Sequence, residues 1–204
     1  MQRRRIHTGK LLGSFKRDSP ESVRVAFKDG IKQWDASPDC RRLRDLFDAM
    51  VPQTVNKIVA FACSTMTTND GQERSVMQHG MAVTMLDILK RRRPDEQQPD
   101  IRCFAQDPAY TDTDEEILGG AGVAVVQDPR GFLEVDDQTV VVSISPNIPI
   151  RQIITDIARP AVLIWDKVMF EAEDAEYRSV PSSFFFTFCR LLKWFNANKG
   201  NNAV

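Results

Sequence analysis

The sequence predicts an α/β fold: a mostly parallel, five-stranded sheet with helices on both faces, two further helices before it and an aromatic helix after it. Three observations carry this. Short apolar or β-branched runs alternate with stretches of helical periodicity, the order that builds parallel strands joined by right-handed crossovers. The run TVVVSI, Thr139 to Ile144, is apolar almost throughout rather than alternating, as in a strand buried on both faces. Lys57 to Arg93, KIVAFACSTMTTNDGQERSVMQHGMAVTMLDILKRRR, reads as a strand, a hydroxyl-rich loop and a long helix, the unit that opens a doubly wound sheet.

The elements follow in order. Residues 1 to 18 are basic and contain Gly9 and Gly13, which predicts a flexible arm. Residues 19 to 195 form one domain. Ser19-Pro20-Glu21 and Ser37-Pro38-Asp39 repeat one helix-start signal: a hydroxyl cap, proline in the first turn, then an acid at the positive end of the dipole. The first helix carries Val23, Ala26, Phe27, Ile31 and Trp34 on one stripe, and the second Leu43, Leu46, Phe47 and Met50, so both are expected on one face of the sheet. The first strand is Ile58 to Cys63. Asp70 with Glu73 three residues on forms a capping-box-like start to the central helix. Ile101 to Ala105 is the second strand, Asp112 to Glu116 opens a short helix that Gly119 and Gly120 end, and Val123 to Val126 is the third strand. After the fourth strand, Ile150, Ile153, Ile154 and Ile157 fall at i, i+3, i+4, i+7 of a helix, and Ala161 to Trp165 is the fifth strand. An acidic linker from Glu171 to Glu176 leads to SSFFFTFCRLLKWF, Ser182 to Phe195, whose apolar residues spread too widely for one stripe. That helix is buried on several sides or joins two copies in a homodimer. Residues 196 to 204 read as a disordered tail.

Composition narrows the function. With 42% hydrophobic and 27% charged residues in 204, the chain suits a soluble globular domain with a real core. A net charge of −1 gives no global field for nucleic acid or membrane, though Arg3, Arg4 and Arg5, then Lys10, Lys16 and Arg17, and then Lys90, Arg91, Arg92 and Arg93 make local basic clusters. Such clusters are more often solvated faces than binding patches. Cys40, Cys63, Cys103 and Cys189 show no metal-ligand spacing, which favours reduced thiols, a cytoplasmic setting and no metal. No apolar run spans a membrane, and no hydrophobic core follows the basic N-terminus as in a signal peptide.

In a sheet of this kind ligands bind beyond the carboxyl ends of the strands. The polar residues expected there are Ser64 to Thr68, Asp107, Ser143, Ser145 with Asn147, and Asp166. The first loop has neither G-x-G-x-x-G nor a P-loop, so ordinary dinucleotide or nucleotide cradling, and with it a methyltransferase-like cofactor site, has no support. Ser64 at the strand exit can present a hydroxyl to the crevice with helix N–H groups nearby for an oxyanion, or it can simply satisfy the loop. Histidine is scarce. His79, at helical spacing from Val83 and Leu86, reads as a packed helix residue rather than a base, and His7 lies in the arm. A carboxylate is the better base, and Asp107, Asp112, Asp114, Glu115 and Glu116 follow the second strand, with Asp112 and Glu115 on one helix face beside Tyr110. Acids there also complement the helix dipole, so both readings stand. Asp107 holds the position of a ribose-binding acid in a Rossmann-like sheet, Asp166 lines the same crevice or anchors a turn, and SISPNIP shapes the exit of the fourth strand.

These residues resemble a family. FACSTMTT, QDPAYT and GFLEVDDQTVVVSISPNIPIRQIITDIARPAVLIWD are similar to the "sensitivity to red light reduced"-like domain in its fungal form, over residues 55 to 168. Its plant members are linked to light signalling and its animal relatives to haem metabolism, which implies a noncatalytic regulatory protein or a binder of a nucleotide or haem. Within the family the compact chain most resembles the arginine-containing cyclodipeptide synthases. That resemblance implies an enzyme joining arginine from arginyl-tRNA to a second aminoacyl-tRNA's amino acid as a cyclo(Arg-Xaa) diketopiperazine, without ATP or any cofactor. It further implies Ser64 as acyl acceptor, by analogy with the bacterial synthases. Tyr110, Asp112 and Glu115 would hold the guanidinium or move protons. Asp107, Asp114, Glu116, Ser145, Asn147 and Asp166 would line the substrate site, and Arg3, Arg4, Arg5 and Lys90, Arg91, Arg92, Arg93 would grip tRNA. Of the group's Asp-Asp-x-x-Glu run, Asp112 and Glu115 match and Thr111 stands where the first Asp would be.

Overall fold

The computed structural model describes residues 18–68, 71–93 and 100–165. The basic arm to residue 17, Asp166, the acidic linker, the aromatic helix and the tail lie outside them.

Both hydroxyl caps form. Ser19 Oγ accepts from Ser22 N to start α1 (Pro20–Ala36), and Ser37 Oγ accepts from Cys40 N to start α2 (Pro38–Met50). Ser37 also closes α1, donating its backbone N–H to Trp34 O, so one residue turns the chain between two helices. Five strands follow, β1 (Lys57–Phe61), β2 (Arg102–Gln106), β3 (Ala124–Val125), β4 (Thr139–Ser143) and β5 (Val162–Trp165), in the all-parallel order β3-β2-β1-β4-β5. Every residue of β1 and of β4 is buried, as continuous apolar runs between two helical layers require. Alternate residues serve opposite faces. Ile58, Ala60, Val140 and Val142 join the core of α3 (Gln72–Arg92), while Val59, Phe61 and Val141 meet Phe132, Ile150 and Ile154 on the other side.

The first two helices lie on the α3 side, packed on α3 rather than on the strands. Close approach requires small residues. A Cβ at Gly30 would sit 2.4 Å from Val76 Cγ1, and one at Gly80 would sit 3.1 Å from the Trp34 ring. Trp34 Nε1 donates to Thr84 Oγ1 at 2.9 Å, which satisfies a buried indole.

Several boundaries differ from expectation. The N-cap of α3 is Gly71 at φ 84°, which provides no side-chain acceptor, and Asp70, the expected capping residue, lies outside the described residues. A short helix α5 (Arg130–Leu133) had no sequence signal, because one turn is too short to show a period. In α6 (Ile150–Ile157), Ile150 and Ile154 are buried but Ile157 is 55% exposed, so the isoleucine stripe outruns the sheet by one turn. α4 (Asp112–Gly120) opens with a reciprocal capping box between Thr111 and Asp114.

At the amino ends of the strands, two buried charges, Lys57 and Glu134, meet each other and exposed partners. Lys57 Nζ donates to Glu134 O and to Asp136 Oδ2, both at 2.7 Å, and lies 3.8 Å from Glu134 Oε2. Arg130 holds Glu134 Oε1 at 2.7 Å, and Thr139 Oγ1 donates to Asp136. Burial works against the Asp136 carboxylate, but hydrogen bonds from Lys57 and Thr139 outweigh it and hold the carboxyl below its ordinary range.

Candidate functional site

The strand order reverses between β1 and β4, and a cavity of about 640 Å³ opens at their carboxyl ends. One wall is a helical stripe of α3: Gly71, Arg74, Ser75 and Gln78. Opposite it lie Asp128 and Phe132, from the loop entering α5 and from α5 itself, on the other face of the sheet. Ala62 to Ser64, Gln106 to Ala109 and the segment from Ile144 to Ile150 complete it.

Among the described residues, the non-glycine residues with left-handed backbone are Ala62 (φ 56°), Ser64 (φ 63°) and Ser145 (φ 52°), and all three line this cavity. Each costs about 1–2 kcal/mol relative to ordinary backbone, so neighbours must hold it. For Ser64 those neighbours are explicit. Its N–H donates to Asp107 Oδ2 at 2.7 Å and its carbonyl accepts from Ser75 Oγ at 2.9 Å. Just beyond it, Thr65 Oγ1 donates to Asp114 Oδ2 at 2.7 Å and Met66 N to Asp114 Oδ1 at 2.8 Å. Asp114 also receives Thr111 N and Thr111 Oγ1, both at 2.8 Å, and is wholly buried. The loop hydroxyls therefore divide. Thr65 and Thr67 turn inward and satisfy the loop, and Ser64 remains exposed at the cavity.

Behind this wall lies a neutral buried network. Ser75 O can only accept, so His79 carries its proton on Nδ1 and donates it across 2.7 Å, leaving Nε2 to accept from the Tyr110 hydroxyl at 2.7 Å. Burial pushes His79 down to about 4, Tyr110 well above its ordinary value and the Cys63 thiol up to about 12. His79 is thus the packed helix histidine its spacing predicts.

The expected site residues separate in space. Ser64, Asp107, Ser145 and Asn147 come together at the cavity. Tyr110 borders the core through His79 and does not line it. Asp112, Glu115 and Glu116 are exposed on α4 away from it, with Glu116 paired to Arg24 at 2.8 Å, and Asp114 is engaged by four internal donors. Ser143 is buried with its Oγ lacking a hydrogen-bond partner among the described residues. Lys90 to Arg93 end α3, about 25 Å from Arg74 at 1.5 Å per residue. Arg92 donates to Phe47 O at 2.9 Å and Val51 O at 3.1 Å, closing the carboxyl end of α2, while Arg91 pairs with Asp87 and Arg93 reaches Gln53 O. Arg3, Arg4, Arg5 and Asp166 lie outside the described residues.

Sequence reasoning missed Arg74, Gln78, Gln106 and Asp128. Arg74 and Gln78 stand three and seven residues after Gly71, a helical stripe continuous with the loop, which was the available signal. Gln106 had none. Its Oε1 accepts from Gly131 N at 2.6 Å and its Nε2 donates to Asp128 Oδ1 at 3.0 Å. A Cβ at Gly131 would lie 2.6 Å from that same Oε1, so the strand end and α5 can meet only at glycine.

Among the described residues no group of three or more His, Cys, Asp and Glu is placed to hold a metal ion, and no helix is long and apolar enough to cross a membrane. In comparison with known proteins, the family model of the SRR1 domain matches residues 42–201. No curated protein and no solved structure matches the chain.

Proposed function

Because this chain belongs to the SRR1-domain (sensitivity to red light reduced) family, we propose that it is an acyl-transferring enzyme whose acceptor is Ser64, and that its reaction is tRNA-dependent formation of an arginine-containing cyclic dipeptide. One observation carries the reading. Ser64 is an exposed hydroxyl held in left-handed backbone at a strand exit, on a cavity large enough for an amino acid and the nucleotide that bears it.

In the proposed sequence Ser64 Oγ attacks the ester carbonyl of the first aminoacyl-tRNA. The bond to the ribose oxygen breaks, the tRNA hydroxyl leaves with the serine proton, and the amino acid stays as a serine ester. The amine of the second aminoacyl-tRNA attacks that ester, frees Ser64 and gives a dipeptidyl-tRNA. Its own amine then closes the ring and releases the second tRNA. The energy is that of the two esters. The carboxylates at hand for guanidinium or ammonium groups are Asp107 and Asp128 rather than the α4 cluster.

The test is purified protein with tRNA, synthetases, ATP and all amino acids, read by mass spectrometry for cyclo(Arg-Xaa). A ribonuclease-sensitive product that falls at least about a hundredfold in Ser64→Ala supports the reading. Folded protein with charged tRNA and no product overturns it. The second reading is a noncatalytic small-ligand protein using the same cavity. The placement favouring it is that Asp112, Glu115 and Glu116 lie off the cavity and Lys90 to Arg93 at the far end of α3.

A further inference from the structure

The walls of the cavity carry opposite charges. On the α3 wall, Arg74 is exposed and makes no hydrogen bond or ion pair with any other described residue, although Asp and Glu are plentiful elsewhere on the surface. It sits one turn into a helix whose N-cap is glycine, and no cap side chain among the described residues accepts from the first N–H groups at the positive end of the dipole. One further turn along the same stripe is Gln78, 4% exposed, whose Oε1 has no hydrogen-bond partner among the described residues. A buried acceptor left unmade costs free energy unless something outside the chain supplies its donor. On the other face of the sheet Asp128 lines the cavity, with Oδ1 accepting from Gln106 and Oδ2 bonded to no other described residue. Asp107 lies between them with each oxygen already holding a backbone N–H.

An anion alone would meet two carboxylates here, and a cation alone would meet Arg74 and a helix N-terminus. We infer that the cavity is a site for a zwitterionic ligand. Its anionic oxygens lie against the start of α3 and Arg74, its ammonium faces Asp128, and a donor between them satisfies Gln78. This deepens the proposed function, since the end of an aminoacyl-tRNA bears both a phosphodiester and an ammonium. A free amino phosphate ester has the same chemistry.

The experiment is isothermal titration of the full chain with four probes. O-phosphoethanolamine and puromycin 5′-monophosphate carry both charges, AMP carries only the anion and puromycin only the ammonium. At least one two-charge probe is expected to bind tenfold or more tightly than AMP and puromycin. Arg74→Gln should weaken the two-charge probe about tenfold and leave puromycin unchanged. Asp128→Asn should remove the preference over AMP. Binding of both two-charge probes assigns a free zwitterion, and binding of puromycin 5′-monophosphate alone assigns the aminoacylated nucleotide. No binding by folded protein, equal binding of AMP, or indifference to both variants overturns the inference. Titration is independent of turnover. A chain that binds the probes without making cyclic dipeptide keeps the site and loses the reaction.

Discussion

The two ends of β1 are both polar, and they treat polarity in opposite ways. At the amino end the buried Lys57 and Glu134 are partnered by each other and by the exposed Asp136 and Arg130, and none of the four has left-handed backbone. At the carboxyl end the acids bind backbone and hydroxyls, three residues are held in left-handed backbone, and a glutamine oxygen and an arginine are left over beside an open cavity. Where charges satisfy each other the fold gains a closed structure. Where the fold leaves strain and unmet polar groups, it keeps capacity for something else.

The largest expected effect lies at the closed end. Lys57→Ala removes a buried stem and the donor to Glu134 O and Asp136 Oδ2, while Glu134 keeps Arg130, and should cost about 3 kcal/mol in urea unfolding. Probe binding at the cavity should not change. If binding falls in parallel with stability, the two ends are not separable. Next comes pH. His79 is pushed from 6.5 to about 4 by burial, so the unfolded chain takes up this proton first. The stabilisation from keeping His79 neutral is full above about pH 6.5 and is lost as pH falls toward 4, a change of up to about 3 kcal/mol. Asp136 acts lower, because its depressed carboxyl stabilises the fold above its unfolded pKa and that contribution disappears only below pH 3.8. His79→Asn should flatten the unfolding free energy between pH 6.5 and 4, whereas Lys57→Ala should leave that slope in place. The smallest effect is a gain. Ala62→Gly relieves a left-handed alanine and should raise stability by about 0.5–1 kcal/mol, less than the full strain because glycine also loosens the unfolded chain. A loss of stability there would mean that the strain is not stored at this loop.

Much of this was legible before any coordinates, and the limits have physical causes. The two serine caps and the parallel sheet follow from local chemistry and from continuous apolar runs alternating with helical periodicity, which are written in neighbouring residues. Ser64 was legible as a loop hydroxyl at a strand exit. What was not legible depends on partners far along the chain. Asp114 sits in an acidic run that reads as a helix dipole or a substrate site, yet its burial comes from Thr65 and Met66, 49 and 48 residues away. Arg92 sits in a basic run that reads as a tRNA grip, yet it closes α2 through Phe47, 45 residues away. Runs of like charge hide such individual fates, because their composition is the same whether a member is solvated, paired or capping.

The strand order has a consequence for how the chain is made. β1 pairs with β2 on one side and with β4 on the other, and the β1–β4 partners Lys57 and Thr139 are 82 residues apart. Among the described residues no hairpin closes any part of this sheet. A ribosome adding 5–20 residues per second needs about 4–16 s to cover that interval. Throughout it the central strand of the nascent sheet waits with one edge unpaired, open to another chain in the same state. The centre of the finished fold is therefore its greatest exposure during synthesis, and a chaperone that shields Ile58 to Phe61 until Val140 emerges would raise the yield of folded protein without touching its final stability.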